Sequence, residues 1–377
     1  MKTLAIIGAS YLQRPLVEKA KAMGLRTICF AWEEGAVCKD LVDVFYPISI
    51  IEKEQILDIC RNEYIDGICT IASDVAAPTV AYVAEKMGLV GNSYETALKA
   101  NNKLLMRQAF NEAGVLCPQF TCVKGWNELE ERLNTILKTF QLPLIIKPTD
   151  RSGSLGVTKI EKWEELYQAI VCAMDFSFKH EAIVEEYIEG NEISVEYISY
   201  EGVHYPLQIT DKVTTGAPHF VELEHHQPSS LPQKICDEVH MITKRALSAL
   251  GITYGASHSE YRITNDGRIY IIEVGARMGG DFIGSDLVQL STGYDFLRGV
   301  IEVALGEFIE PLLNEHNFSG VYFLSKETAY VETYINNHST YPCIVSAEQT
   351  NSELYNVTCS AERSGYFIYL ASNKFEL

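Results

Sequence analysis

The stretch Ala256–Gly280, ASHSEYRITNDGRIYIIEVGARMGG, constrains the fold of this chain more than any other. Two alternating runs, SEYRIT and RIYIIEV, flank Asn265-Asp266-Gly267. Asp-Gly between such runs predicts a hairpin closed by a two-residue type I′ turn. With Asp266 and Gly267 as that turn, Glu260 falls directly opposite Glu273, and His258 opposite Gly275. Opposed side chains stand about 4.5–5.5 Å apart at Cβ, where like charges repel. Glu260, Arg262, Glu273, Gly275 and Arg277 then share one face, while Tyr261, Ile263, Tyr270 and Ile272 form the core face. A three-residue loop would slip the register and send one glutamate to the other side. Two carboxylates held together suit a hard divalent cation, which magnesium exemplifies by taking one or two carboxylates plus substrate phosphates. The alternative is a pair of solvated carboxylates on an exposed strand.

A metal used in this way needs phosphate-binding elements elsewhere, and the chain is poor in cations. It has 31 Lys and Arg against 50 Asp and Glu, a formal charge of −19. That balance argues against a nucleic-acid partner or an anionic membrane surface, and a polyanion site must concentrate its few cations locally. LPLIIKPT (142–149) reads as a buried strand carrying Lys147 near its end, and the loop RSGSLGV (151–157) follows directly. Ser152, Gly153, Ser154 and Gly156 would let its backbone N–H groups wrap a phosphate chain; the alternative is an ordinary flexible hairpin loop. Residues 91–117 read as one long helical segment with Leu98, Leu104, Leu105, Ala109 and Phe110 as its apolar stripe. Lys103 and Arg107 lie four apart on one face, which taken alone is a solvated face. EAIVEEYIEGNEISVEYIS (181–199) reads as strand, turn and strand, with Glu185, Glu186, Glu189 and Glu192 crowding the connector. On composition alone that connector is surface.

At 377 residues the chain exceeds one compact core, and 47% hydrophobic with 21% charged content marks an ordinary globular protein. Runs at 3–9, 26–32 and 66–73 alternate with helical patterns, which predicts a doubly wound parallel α/β domain. Gly8 follows the first of these strands without the rest of a dinucleotide fingerprint. Ser73-Asp74, ending the third, is either a ligand contact or a helix N-cap. Ten cysteines without a CxxC pair, no apolar run near 18 residues and no signal-like N-terminus make the cytoplasm the expected location. From Gly320 onward the sequence alternates and is rich in aromatics, as in a small β lobe.

With these pieces in order, the chain resembles the ATP-grasp superfamily over roughly residues 95–310. The motifs that carry the resemblance are Lys103, Lys147 with the Ser152–Gly156 loop, the acidic hinge Glu185–Glu192, and the late pair Glu260 and Glu273. The resemblance implies an α/β chain with a doubly wound parallel-sheet domain (1–95) and an ATP-grasp module of two α+β lobes (96–310). The Gly-rich-loop lobe would span about 115–187 and the metal-site lobe about 188–310, with a small β-rich C-terminal lobe at 311–377. It implies that Lys103, Lys147 and the 152–156 loop contact the phosphates of ATP. Glu185 and the backbone from Glu186 to Ile188 would face adenine, and Glu192 the ribose. Glu260 and Glu273 would hold Mg2+, with Mn2+ as a substitute, and Arg277 would stabilise the transferring phosphoryl group.

The family commonly has Asn where this chain has Gly275, which leaves a third metal contact to water or substrate. EVGARMGG and HSE are most similar to the L-amino-acid ligases, and residues 211–228 resemble their acceptor region. Lys212, His225, His258, Gly279 and Gly280 are accordingly candidates for contacts to the small substrates. The activity implied is an ADP-forming carboxylate–amine ligase acting through an acyl phosphate, in a homodimer or monomer. Purine-pathway and carbamoyl-phosphate-synthase-like ligases share the scaffold, and a nucleotide-binding sensor or scaffold without chemistry is the reading from another class.

Overall fold

The computed structural model describes residues 1–375. The first domain is a four-stranded parallel sheet in the spatial order Val44–Tyr46, Arg26–Phe30, Thr3–Ile7, Gly67–Cys69. Thr3–Ile7 is buried along its whole length, as a parallel strand covered by helices on both faces must be. The helices Arg14–Ala22, Lys53–Asn62 and Ala77–Met87 lie between its strands in sequence, and Gly88 ends the last of them at φ +67°. The short strand Val44–Tyr46 was not expected from the sequence. It has three half-buried residues, too few for alternation to register.

The segment 91–117 is two helices, not the single one its periodicity suggests: Tyr94–Asn101 and Lys103–Glu112. Asn102 between them is extended (φ −112°, ψ 115°), and its side chain accepts the Leu105 N–H at 3.0 Å. An Asn that bonds the backbone two or three residues ahead competes with the helix and restarts it as an N-cap. The Lys103 N–H released by the break donates to the Thr149 carbonyl at 2.7 Å. Leu98 and Leu105, expected in the apolar stripe, are instead exposed.

Two further sheets face each other across the rest of the molecule. The smaller is antiparallel, in the order Phe120–Val123, Ala182–Glu186, Leu144–Pro148, Thr158–Ile160, with helices Leu129–Thr139 and Leu166–Phe176 completing its core. The larger has eight antiparallel strands, ordered Ile269–Gly275, Gly255–Ile263, Asn191–Tyr200, Val203–Thr214, Glu222–Gln227, Phe318–Leu324, Gly365–Ala371, Ile344–Gln349. The C-terminal strands therefore continue this sheet through the pairing of Glu222–Gln227 with Phe318–Leu324. One of its faces packs on the helices Gln233–Leu250 and Lys103–Glu112 through Tyr197, Val195, Tyr261 and Ile271. Among the described residues no helix is long and apolar enough to cross a membrane.

The hairpin that constrains the fold closes differently from its sequence signal. The Thr264 N–H donates to the Arg268 carbonyl (3.0 Å) and the Gly267 N–H to Thr264 (2.8 Å), with Gly267 at φ +84°. This is a three-residue loop with its glycine in the left-handed region, and it pairs Ile263 with Ile269 and Tyr261 with Ile271. A bulge then follows between Tyr261 and Glu260, with Ile272 as the extra residue, and restores Glu260 opposite Glu273 and His258 opposite Gly275. The expected carboxylate pair is present because the two offsets cancel. The three-residue loop shifts the core face of the second strand to Ile269 and Ile271, and the bulge returns it to the expected phase at Val274. Tyr261, Ile263, Ile269, Ile271 and Val274 belong to the core, whereas Ile272 lines the cleft; Tyr270 is buried as expected and takes a hydrogen bond from Arg268 at 2.9 Å.

Candidate active site

The cleft lies between the two sheets, and each wall contributes cations and carboxylates in pairs. Lys147, next to last in its strand, is 5% exposed and lies 2.8 Å from the Glu185 carboxylate. Arg107 reaches the other oxygen of Glu185 at 2.6 Å and donates to the Ile272 carbonyl at 2.7 Å. Burial opposes ionisation of Glu185, but Arg107 and Lys147 outweigh it and hold the carboxyl below its ordinary range. Lys147 moves the other way. Burial pushes its ammonium down, and nearby Arg107 and Lys103 offset much of what Glu185 returns. The face of Lys103 and Arg107 is thus buried, at 4% and 0% exposed, and not the solvated face that spacing alone suggests. Glu185 is likewise a buried counter-ion rather than part of a surface connector.

Lys103 sits at the helix start created by Asn102, where its ammonium donates to the Arg151 carbonyl at 2.6 Å and lies 2.9 Å from Glu273. One side chain thereby ties the loop that begins at Arg151 to the metal-side hairpin. Ser152, Gly153, Ser154 and Leu155 line the cleft from that loop. Gly153, Ser154 and Gly156 have φ of +64°, +57° and +71°, left-handed backbone that glycine adopts without steric cost. A Cβ on Gly156 would lie 2.9 Å from Pro148 and Phe176.

Glu260 and Glu273 both line the cleft. Lys212, 2.8 Å from Glu260, also approaches Glu192 (3.0 Å) and Glu222 (3.5 Å). Burial disfavours its charge, yet the three carboxylates raise it well above the ordinary lysine value. Glu260 is held well below the carboxylate range because Lys212 and His258 outweigh its burial. His258 bonds the Glu196 carboxylate through Nδ1 and Glu260 through Nε2 at 3.3 Å. Burial pushes that imidazole down, but Glu196 and Glu260 lift it to about 9, so both ring nitrogens donate.

Arg277 donates to Asp74, which comes from the end of the first domain's sheet, at 2.8 Å, while its buried Nε has no partner. The two ion-paired residues bracket Gly275, since a Cβ there would lie 2.6 Å from the Asp74 carboxylate and 3.2 Å from the Arg277 guanidinium. Asp74 therefore fills the space that a side chain at position 275 would need, and it is not the cap of the helix that follows, where Ala76 stands.

Glu192, 2.5 Å from Arg262, lies on the cleft wall. At the hinge the Glu186 N–H is used by the Gln119 carbonyl (3.0 Å) and the Tyr187 N–H by Pro143 (3.2 Å). Among the described residues the Ile188 N–H takes no backbone partner, and Ile188 lines the cleft. His225 stands next to Lys212 across the sheet, 1% exposed, with both ring nitrogens unpartnered and burial holding it neutral. The Gly279 N–H is taken by Glu196 at 3.0 Å, and a Cβ there would meet Glu196 and His258 at 2.7 and 2.8 Å. Gly280 faces Ala72 of the first domain in the same way, at 3.2 Å. The two glycines permit close approach of backbone and do not line the cleft. Neither does Gly8, whose Cβ position is taken by Gln13 at 2.9 Å.

The structure thus gathers Lys103, Lys147, the Ser152–Gly156 loop, Glu192, Lys212, His258, Glu260, Glu273 and Arg277 around one cleft. Sequence reasoning missed Arg107, Glu196 and Glu222. Only Arg107 left a signal, its helical spacing from Lys103. Among the described residues no three His, Cys, Asp or Glu side chains converge as a self-sufficient metal cage. Facing carboxylates of this kind fit a hard cation whose remaining ligands are phosphate oxygens and water.

Residues 140–286 match the sequence model of the ATP-grasp domain, a span that contains Lys147, Lys212, Glu260, Glu273 and Arg277. Over 293 residues the chain is 28% identical to alanine–anticapsin ligase of Bacillus subtilis, covering 67% of this chain and 61% of that protein. It thus spans about three fifths of the length of that curated relative. The L-amino acid ligase from Bacillus licheniformis superposes with a TM-score of 0.82 at 23% identity, over 99% of this chain and 94% of that one. Phosphoribosylglycinamide synthetase from Anaerococcus prevotii superposes at 0.77 with 22% identity, over 99% and 94%. At these identities the two structural matches are matches of fold.

Proposed function

We propose, from the premise that the chain carries an ATP-grasp domain, that it is an ATP- and magnesium-dependent carboxylate–amine ligase with amino acids as substrates. One observation carries the reading: two facing carboxylates, each bound to its own buried lysine, lie in a cleft lined by a Gly-Ser loop. Lys103, Lys147 and the 152–156 loop would hold the phosphates of ATP. The Ile188 N–H offers a donor to the adenine edge, and Glu192 accepts from the ribose. Glu260 and Glu273 would hold magnesium, which supplies neutralisation of phosphate charge.

A substrate carboxylate oxygen attacks the γ-phosphorus, the bond to the β-phosphate oxygen breaks, and ADP leaves. The amine nitrogen then attacks the acyl carbon, inorganic phosphate departs, and the amine proton passes to phosphate or solvent. Phosphoryl transfer asks mainly for positioning and charge stabilisation. Arg277, pinned by Asp74 with Nε unused, is oriented to offer a donor to the transferring group. His258, held cationic by Glu196 and Glu260, presents positive charge to a substrate carboxylate. Closure of the loop would exclude water from an acyl phosphate that water destroys.

The amino-acid assignment draws support from the similarity to alanine–anticapsin ligase. ADP release against pooled amino acids, with mass spectrometry of the product, tests it. Magnesium-dependent ADP release with an amide product is expected. Turnover of phosphoribosyl substrates alone would favour a purine-pathway ligase, and tight ATP binding without turnover a sensor or scaffold.

A further inference from the structure

The C-terminal segment before strand Gly365–Ala371 touches residues at and beside the cleft through Arg363 and Ser360. Arg363, 7% exposed, donates to both oxygens of Asp281 at 2.8 and 3.0 Å and to the Glu222 carbonyl at 3.5 Å. Its guanidinium lies 3.7 Å over the Phe323 ring, and the nearby Ser360 hydroxyl donates to the Glu222 carboxylate at 3.3 Å. A bidentate, stacked arginine of this kind fixes geometry as well as charge.

What Arg363 holds is strained backbone directly after Arg277–Gly280. Asp281 and Phe282 directly follow Arg277–Gly280 and have φ of +48° and +67°, a region that non-glycine residues occupy only where their surroundings impose it. Arg363 fixes the first of the two. Tyr366, with ring centroids 4.3 Å apart, and Phe323, at 6.2 Å, fix the second. All three holders lie between residues 323 and 366. Glu222, the other group held, lines the cleft and faces Lys212. Its strand lies beyond Lys212 across the sheet from Glu260 and Glu273, away from Lys103, Lys147 and the loop. The same strand carries His225, whose ring nitrogens are buried and unpartnered.

We propose that Arg363 is a positioning residue for the small-substrate end of the cleft, fixing the Asp281–Phe282 turn and Glu222 from the C-terminal lobe. The nature of that substrate rests on the ligase reading; the positioning does not. Because Arg363 makes no hydrogen bond or ion pair with Lys103, Lys147, Glu260 or Glu273 among the described residues, its loss is expected to spare the nucleotide.

The test uses the full chain with Arg363→Gln, Arg363→Lys and Asp281→Asn. Three quantities are measured: steady-state kinetics with the amino acids found by ADP release, ATP affinity by calorimetry, and amide hydrogen exchange. Arg363→Gln should raise KM for a small substrate about tenfold or more, with ATP affinity and kcat nearly unchanged. Exchange should quicken at 278–284 and 220–225 alone, and Arg363→Lys should recover part of both effects. Unchanged KM and exchange would overturn the proposal, as would a parallel loss of ATP affinity, substrate affinity and thermal midpoint. If no amino acid is turned over, the ligase reading fails and the exchange pattern with ATP affinity still decides the role of Arg363. If Arg363→Gln does not fold, the comparison of Arg363→Lys with Asp281→Asn decides it.

Discussion

Asp74 occupies the space that a side chain at position 275 would need. An Asn at 275 would place its Cβ 2.6 Å from the Asp74 carboxylate, so it must displace the partner that orients Arg277. Gly275→Asn is therefore expected to lower kcat on the order of 10²-fold, the scale of losing one preorganised charge-stabilising group, and not to improve metal use. Steady-state kinetics with a magnesium titration checks this, and unchanged or faster turnover would contradict it. Glu273→Gln should remove magnesium-dependent ADP release while the thermal midpoint stays near wild type, since Glu273 is half-exposed to the cleft. Near wild-type turnover in that variant would show that the carboxylate pair does not hold the metal. Glu185→Ala leaves Arg107 and Lys147 buried without their counter-ion, and breaking such a pair costs about 3–5 kcal/mol. Denaturant unfolding should report a loss of that size, and a loss under about 1 kcal/mol would mean water replaces the carboxylate.

At the level of elements, the break at Asn102 and the hairpin bulge do the positioning. Asn102→Ala removes an N-cap worth about 1 kcal/mol and favours one continuous helix, which carries Lys103 away from Arg151 and Glu273. The expected result is a modest fall in stability with a clear fall in ATP affinity; calorimetry showing unchanged affinity would separate the break from function. These elements also show what was legible in the sequence. Alternation around Asp-Gly identified the hairpin, and the carboxylate pairing emerged correctly. The loop length did not, because a glycine at φ +84° suits a three-residue loop as well as a type I′ turn. Nor did the bulge at Ile272, since an extra residue leaves no mark in an apolar run such as IYII. Asn102 sits within good helical periodicity, and only its capping bond ends the first helix.

On the scale of the whole molecule, separate stretches of chain meet at one cleft, among them Asp74, Lys103, the Lys147 strand with its loop, Lys212 and the Glu260–Arg277 hairpin. Motif order along the chain was readable, because each motif is local. The joins were not. Asp74 and Arg277 are 203 residues apart, and no periodicity encodes which distant carboxylate pairs with which guanidinium. The same limit hid Arg107 behind Glu185, whose crowded acidic connector has the composition of a solvated surface. The central claim, that a substrate carboxylate is activated by phosphoryl transfer before an amine attacks, is tested most directly with 18O-labelled carboxylate substrate. Mass spectrometry of the inorganic phosphate released in a single turnover should find one labelled oxygen transferred from the carboxylate. Unlabelled phosphate accompanying amide formation would contradict the acyl-phosphate route.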